Sequence, residues 1–382
     1  MTARRDFLRS AAGLSAIAAL GAGQSAQAAM PKTAASDVLS MQNDGGYASV
    51  PLSKPVVTLG VVQSKIRAIA ADNWKPELAE NLKHMLDSID RAFYFTSGGR
   101  PDILFFHEFP LTGWKKWTRK EILEFAIEVP GPEVSAIAAK AKEYGCYIVF
   151  GSYVKDKTWP NHVLSITTIV GPDGNIIDKH WKARNIKGVF TGFELFTTTI
   201  YDVLDEYIER YGIDAVIPVT RTSYGNIITS SVQREPELFR AFALKGAEIM
   251  LRTASGGFTP IDIQATALYN STYVAIVNNA ASPENTTFFE DSGSGGTAIY
   301  GPDGKLIVEA DGKLEQCITA RIPIQEFRAR HRQPMVHWEL YQPVFERYKN
   351  AFPPNLYSSY QPTDLLDAAK FVQDKSRWAF KK

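Results

Sequence analysis

One stretch, Tyr224 to Arg252, restricts what this chain can fold into more than any other, because it reads as strand, sharp bend, helix and strand. Ile227, Ile228 and Thr229 are consecutive β-branched residues, the chemistry of a buried strand. Phe239, Phe242, Ala243 and Gly246 then recur at i, i+3, i+4 and i+7, which predicts a helix with one apolar face. Between them lies the bend Ser230-Ser231-Val232-Gln233-Arg234-Glu235. A side chain there is held at a strand end, where backbone N–H groups of the next helix point outward. That is a suitable place for a nucleophile and its oxyanion donors.

The rest of the chain repeats this alternation. Thr58 to Gln63 predicts a strand, Leu78, Leu82, Met85, Leu86, Ile89 and Phe93 a long amphipathic helix, and Ile103 to Phe106 a second strand. Pro130-Gly131-Pro132 opens another helix, and Cys146 to Tyr153 returns as a strand. Gly-Pro-Asp-Gly at 171–174 and again at 301–304 predicts two hairpin turns, and hence two similar halves on two mixed sheets. The pattern is that of an α/β protein with hairpins.

Composition narrows the classes. With a formal net charge of +1 and no basic run, neither nucleic acid nor an anionic membrane is an expected partner. Arg4-Arg5, the Ala- and Leu-rich run Ala11 to Ala22, and Ala26-Gln27-Ala28 have the order of a twin-arginine signal peptide with its cleavage site. Residues 1–28 are therefore expected to engage the twin-arginine translocation machinery and to leave a periplasmic protein. The apolar run is too short for an ordinary membrane span, so no stable membrane insertion is expected. Residues 29–55 are expected to form a mobile leader. The two cysteines, Cys146 and Cys317, both fall in predicted strands and read as small buried hydrophobes, although a disulfide between them stays open.

The segment from Pro236 to Arg252, PELFRAFALKGAEIMLR, resembles the nucleophile region of the carbon–nitrogen hydrolase (nitrilase) superfamily, near its aliphatic amidase and formamidase branch. In that family a cysteine stands six residues before the Pro-Glu pair; here the position holds Ser230, and Ser231 follows where an acidic residue is usual. The resemblance spans roughly residues 56–330 and implies a four-layer αββα sandwich. It also implies hydrolysis of a C–N bond in a small amide, without cofactor, by a Glu, a Lys and a nucleophile.

Glu108, in FFHEFPLTGW just past a buried strand, matches the acid–base Glu, and Lys182, in IIDKHWKARN, matches the Lys, with Lys179 a competitor. Ser230 takes the nucleophile position. Trp114, Trp181, Phe190 and Arg252 are candidate pocket residues, and Glu194 a candidate supporting carboxylate. A zinc motif is excluded at His107-Glu108, since HExxH would require histidine where Leu111 stands, and no other metal-ligand spacing occurs. No P-loop, dinucleotide fingerprint or G-x-S-x-G is present.

A serine hydroxyl is almost wholly protonated at neutral pH and depends on its base for every turnover, unlike a thiol. Three accounts stay open: a hydrolase with a serine nucleophile, a catalytically silent periplasmic binding or scaffold protein, and an amidase inactivated by loss of its cysteine. Residues 331–382, dense in Trp and Tyr, resemble the arm that wraps a neighbouring subunit in the amidase branch, which implies a homo-oligomer. Packing onto its own domain is the equal alternative.

Overall fold

The computed structural model describes residues 44–95, 98–282 and 293–378. The signal-peptide segment and the first part of the leader lie outside these residues.

Twelve strands form two six-stranded sheets among the described residues. In chain order they are β1 (Val57–Gln63), β2 (Ile103–Phe106), β3 (Tyr147–Asp156), β4 (Trp159–Val170), β5 (Ile176–Trp181), β6 (Thr220–Thr222), β7 (Gly225–Ser230), β8 (Ile249–Thr253), β9 (Tyr273–Val277), β10 (Ala298–Tyr300), β11 (Leu306–Glu309) and β12 (Gln316–Ile322). The first sheet runs β12-β1-β2-β3-β4-β5 and the second β11-β10-β9-β8-β7-β6. In the first sheet β1, β2 and β3 are parallel and β4 and β5 antiparallel. The second repeats this with β7, β8 and β9 parallel and β10 and β11 antiparallel.

The two Gly-Pro-Asp-Gly turns close the matching hairpins β4–β5 and β10–β11. In each, the first glycine N–H donates across the turn, to Asn175 O and Lys305 O respectively, both at 2.9 Å or closer. Gly174 and Gly304 both take positive φ, 82° and 73°, which an L side chain rarely adopts. Two halves of like topology are thus observed, as the repeated turn suggested.

Alternation along the strands builds the layers. Ile103 and Phe105 face the second sheet, where they pack with Ile227, Ile249 and Leu251. Leu104 and Phe106 face outward onto Met85 and Ile89 of α1 (Trp74–Tyr94) and Ile137 of α3 (Pro132–Tyr144). A short helix, α2 (Arg119–Phe125), packs in the same layer through Ile122 and Phe125. Behind the second sheet, Ile228 and Met250 pack on Phe239 and Phe242 of α5 (Pro236–Leu244) and on Ile263 and Ala267 of α6 (Pro260–Asn270). α4 (Leu204–Tyr211) lies between the halves of the chain. A period of two in every strand sends alternate residues to opposite faces, so each sheet is apolar on both and must be covered on both. The result is the expected αββα sandwich.

At the N-terminal end one expectation needs correction. The part of the leader from Gly45 to Lys54 is not a mobile tether. Tyr47 donates its hydroxyl to Glu248 at 2.8 Å, Asn226 and Arg221 donate to Ala48 O, and Lys54 pairs with Asp102. A polar, aperiodic segment gave no sign of this because its ties are hydrogen bonds to buried groups, which leave no periodicity. The C-terminal segment behaves as two pieces. α8 (Trp338–Phe345), after α7 (Ile324–Arg330), has no buried residue. By contrast Leu356, Tyr357 and residues of α9 (Leu365–Gln373) are buried on their own domain, with Ala368 in the core beside α1 and α2.

Candidate active site

Parallel strands of the two sheets end on one side, and in open α/β sheets that carboxyl edge is where ligands bind. Glu108 lies two residues past β2, and Gly151 of β3 lets it lie close. A Cβ on Gly151 would stand 2.3 Å from the Glu108 carbonyl oxygen, so any side chain there would push Glu108 away. Lys182 follows β5 directly, its N–H donating to Ser165 O of β4 at 2.9 Å. The Lys182 ammonium donates to Glu108 Oε1 at 3.1 Å, and the two side chains are 14% and 9% exposed. A nearly dry carboxylate–ammonium pair of this kind is costly to bury and is held by its remaining hydrogen bonds.

Those bonds come from two serines. Ser165 Oγ donates to Glu108 Oε1 at 3.3 Å, and Ser255 Oγ, two residues past β8, donates to Oε2 at 3.2 Å. Neither serine had been singled out in the sequence. Ser165 lies within a twelve-residue strand, where period-two alternation gives it no distinction. Ser255 carried a faint signal, as a polar residue before Gly256-Gly257 at the end of a buried strand.

Ser230 is the last residue of β7 and is 8% exposed. Its Oγ accepts the Val232 N–H at 3.1 Å, and Arg252 donates to Val232 O at 2.8 Å. The bend is thereby held from both sides. Arg184, two residues after Lys182, adds a bond to Gln233 O and an ion pair with Glu235.

A buried histidine joins the Lys182 and Ser230 strands. Thr229 places its N–H 3.2 Å from His180 Nδ1. Nε2 lies 2.8 Å from Thr220 Oγ1, whose hydroxyl donates to Asp178 at 2.6 Å. Asp178, although burial opposes its charge, is held below the ordinary carboxylate range by His180 and by these hydrogen bonds. The chain from Asp178 through Thr220 and His180 to Thr229 therefore fixes the ends of β5 and β7 against each other.

The remaining candidates are placed as follows. Arg252 pairs with Asp262 at 2.6 Å, donates to Thr266, and lies over the Phe239 ring, so its charge is spent in the helix layer. Trp181 packs edge-on against Trp159 and Tyr207 in the core. Trp114 is 9% exposed in the same core. Phe190 stacks on Phe193, 4.7 Å between centroids. Glu194 accepts the Gly188 N–H and closes its own loop instead of standing beside Lys182, and burial raises its pKa. Lys179 has its backbone tied to Asp178 within β5, and it is Lys182 that reaches Glu108.

Neither cysteine is placed to act. Both are free thiols. Tyr147 pairs with Ile103, so Cys146 lies at the opposite end of β2 from Glu108, roughly 20 Å away at strand rise. Burial pushes the thiols of Cys146 and Cys317 up to about 12, which keeps them protonated. Among the described residues no group of three or more His, Cys, Asp or Glu could hold a metal ion, and no helix is long and apolar enough to cross a membrane.

Residues 58–332 match the carbon–nitrogen hydrolase family. Omega-amidase NIT2-A of Xenopus laevis is 24% identical over 215 residues, 53% of this chain and 70% of that protein. Among solved structures, Nit3 of Saccharomyces cerevisiae, a member of branch 10 of the nitrilase superfamily, superposes with a TM-score of 0.55. It is 17% identical and covers 80% of this chain and 100% of its own. An amidase from Nesterenkonia sp. AN1 in complex with acrylamide gives a TM-score of 0.53 at 15% identity, covering 78% of this chain and 100% of that one. At such identities the structural likeness concerns the fold.

Proposed function

The chain belongs to the carbon–nitrogen hydrolase family, and from that premise we propose that it hydrolyses the C–N bond of a small carboxylic amide. The observation that carries this reading is the buried Glu108–Lys182 pair at the carboxyl edge of the sheets. Amide hydrolysis needs a base that takes a proton from the attacking group and returns it to the leaving amine, and positive charge where the carbonyl oxygen becomes negative. Glu108 serves the first need and Lys182 the second. A short amide is the fitting substrate class, and a structural neighbour has been captured with butyramide as well as acrylamide.

With both thiols distant or protonated, the attacking group is a serine hydroxyl. Two serines qualify by place: Ser230 by its position in the bend after β7, and Ser255 by its bond to Glu108. The test is ammonia release from acetamide, acrylamide and butyramide by purified protein, with Glu108→Gln as the control. Wild-type release no faster than that control sinks the proposal. A second reading, a binding or scaffold protein of this fold, draws on one observation: Ser230, in the family's cysteine position, accepts a backbone N–H where a nucleophile would be expected to meet its base. It predicts that the same amides bind without turnover. Export through the twin-arginine segment and self-association through α8 belong to the same proposal.

A further inference from the structure

Glu108 has two carboxylate oxygens, and their partners differ in kind. Oε1 is occupied by the Lys182 ammonium and by Ser165, which is 5% exposed within β4 and cannot meet a substrate. Oε2 is met by Ser255, which is half-buried and stands on the turn after β8. An attacking hydroxyl needs a hydrogen bond to its base and access to the substrate carbonyl. Ser165 has the bond without the access. Ser230 is 8% exposed, and its Oγ accepts the Val232 N–H, a bond that leaves its own hydroxyl proton free but does not bring it to Glu108. Ser255 has both.

Its turn is also built. Gly256 N–H lies 3.2 Å from Asn278 Oδ1 and 2.9 Å from Asn279 Oδ1, and Asn278 Nδ2 donates back to Gly256 O at 2.7 Å. Two buried asparagines thus hold the residue after Ser255 from both sides of its backbone, where a loop free to wander would need no such clamp. At 3.2 Å the Ser255–Glu108 contact is within the hydrogen-bond reach of a nucleophile–base pair.

We infer that Ser255 is the catalytic nucleophile, an inference that rests on the amide-hydrolase reading for its substrate. Ser255 Oγ bonds to the amide carbonyl carbon as its proton passes to Glu108 Oε2, and the carbonyl electron pair moves onto oxygen facing Lys182. The tetrahedral adduct collapses by breaking the C–N bond while Glu108 returns the proton to nitrogen. Ammonia leaves and an acyl ester remains on Ser255. Water then gives its proton to Glu108 and its oxygen to the ester carbon, and the acid departs as Ser255 takes the proton back.

The test uses the full chain and p-nitrophenyl acetate as acylating probe, beside the amide panel. Trypsin cuts after Arg221, Arg234 and Arg252, so Ser230 and Ser255 fall on different peptides. The expected result is an acetyl group localised to Ser255, absent in Ser255→Ala, together with loss of ammonia release in Ser255→Ala by about 10³-fold or more at an unchanged unfolding midpoint. Acetyl on Ser230, or a Ser255→Ala rate within about tenfold of wild type, overturns the inference. If wild type releases ammonia without a trapped adduct, the Ser255→Ala rate decides. If wild type acetylates Ser255 but releases no ammonia, the nucleophile stands and the amide reading falls; neither event removes both. Should Ser255→Ala not fold, Ser255→Cys takes its place: a thiol alkylated there by iodoacetamide without loss of rate also overturns the inference.

Discussion

Glu108→Gln separates chemistry from architecture at this site. Glutamine keeps the shape and one carbonyl oxygen for the Ser165 and Lys182 donors, but it removes the charge opposite Lys182 and the basic oxygen beside Ser255. Breaking a fully buried ion pair costs about 3–5 kcal/mol. The Lys182 side chain is 14% exposed and can draw in water, so the loss of stability should come to about 1–3 kcal/mol. A domain stable by about 5–15 kcal/mol stays overwhelmingly folded after such a loss. A general base contributes about 10²–10⁴ in rate, and each tenfold is about 1.4 kcal/mol, so the transition state should lose about 3–5 kcal/mol. Ammonia release should therefore fall by two orders of magnitude or more while the urea midpoint shifts modestly. Lys182→Met should be comparably slow, and the double variant little slower than either, because the two act as one unit. An active Glu108→Gln within about tenfold of wild type, or a rate that merely tracks the folded fraction in urea, refutes the reasoning.

Glu248 is fully buried and receives Arg328 through two bonds of 2.7 Å, the Tyr47 hydroxyl and the Asn226 N–H, so Glu248→Gln should cost about 3–5 kcal/mol in urea unfolding; a loss below about 1 would show the clamp to be dispensable. Burial lowers His107 to about 3 and His331 to about 4, so both are neutral when folded and take up protons on unfolding below the ordinary histidine range. His162, lowered by burial to about 4, adds to them with the same sign, so stability should be complete above pH 6.5 and fall toward pH 4, by at most about 4 kcal/mol per pH unit for three protons; a midpoint that is flat from pH 6.5 to 4.5 contradicts this. Tyr357 is fully buried with its hydroxyl on Leu195 O, so Tyr357→Ala should destabilise the domain by about 3–5 kcal/mol. Leu340→Glu, at a position 71% exposed on α8, should leave stability alone and lower the assembly state, with identical sedimentation to wild type counting against a role in self-association. Replacing Arg4 and Arg5 by Lys should abolish periplasmic recovery, and undiminished export would remove the twin-arginine assignment.

Local chemistry was enough to place most of the core elements. The β-branched run before Ser230, the apolar face of α5 and the repeated Gly-Pro-Asp-Gly turns each record a short-range constraint, backbone conformation or period, that a few adjacent residues must satisfy. Glu108 and Lys182 were picked out by resemblance to a family pattern, which their own neighbourhoods do not supply; that they meet across 74 positions is seen only in the folded chain. Which hydroxyl meets Glu108 was not legible. Ser255 is 147 positions away, and nothing in its own neighbourhood says which strand end of the other sheet will stand opposite it. The same holds for Glu194, whose carboxylate turned back to Gly188, and for Tyr47, which crosses 201 positions to reach Glu248. Periodicity tells a residue which face of its element it occupies. Only the docking of one sheet on the other decides what that face meets, because the burial that drives docking is non-directional and the hydrogen bonds that select partners form where the packed surfaces leave them room.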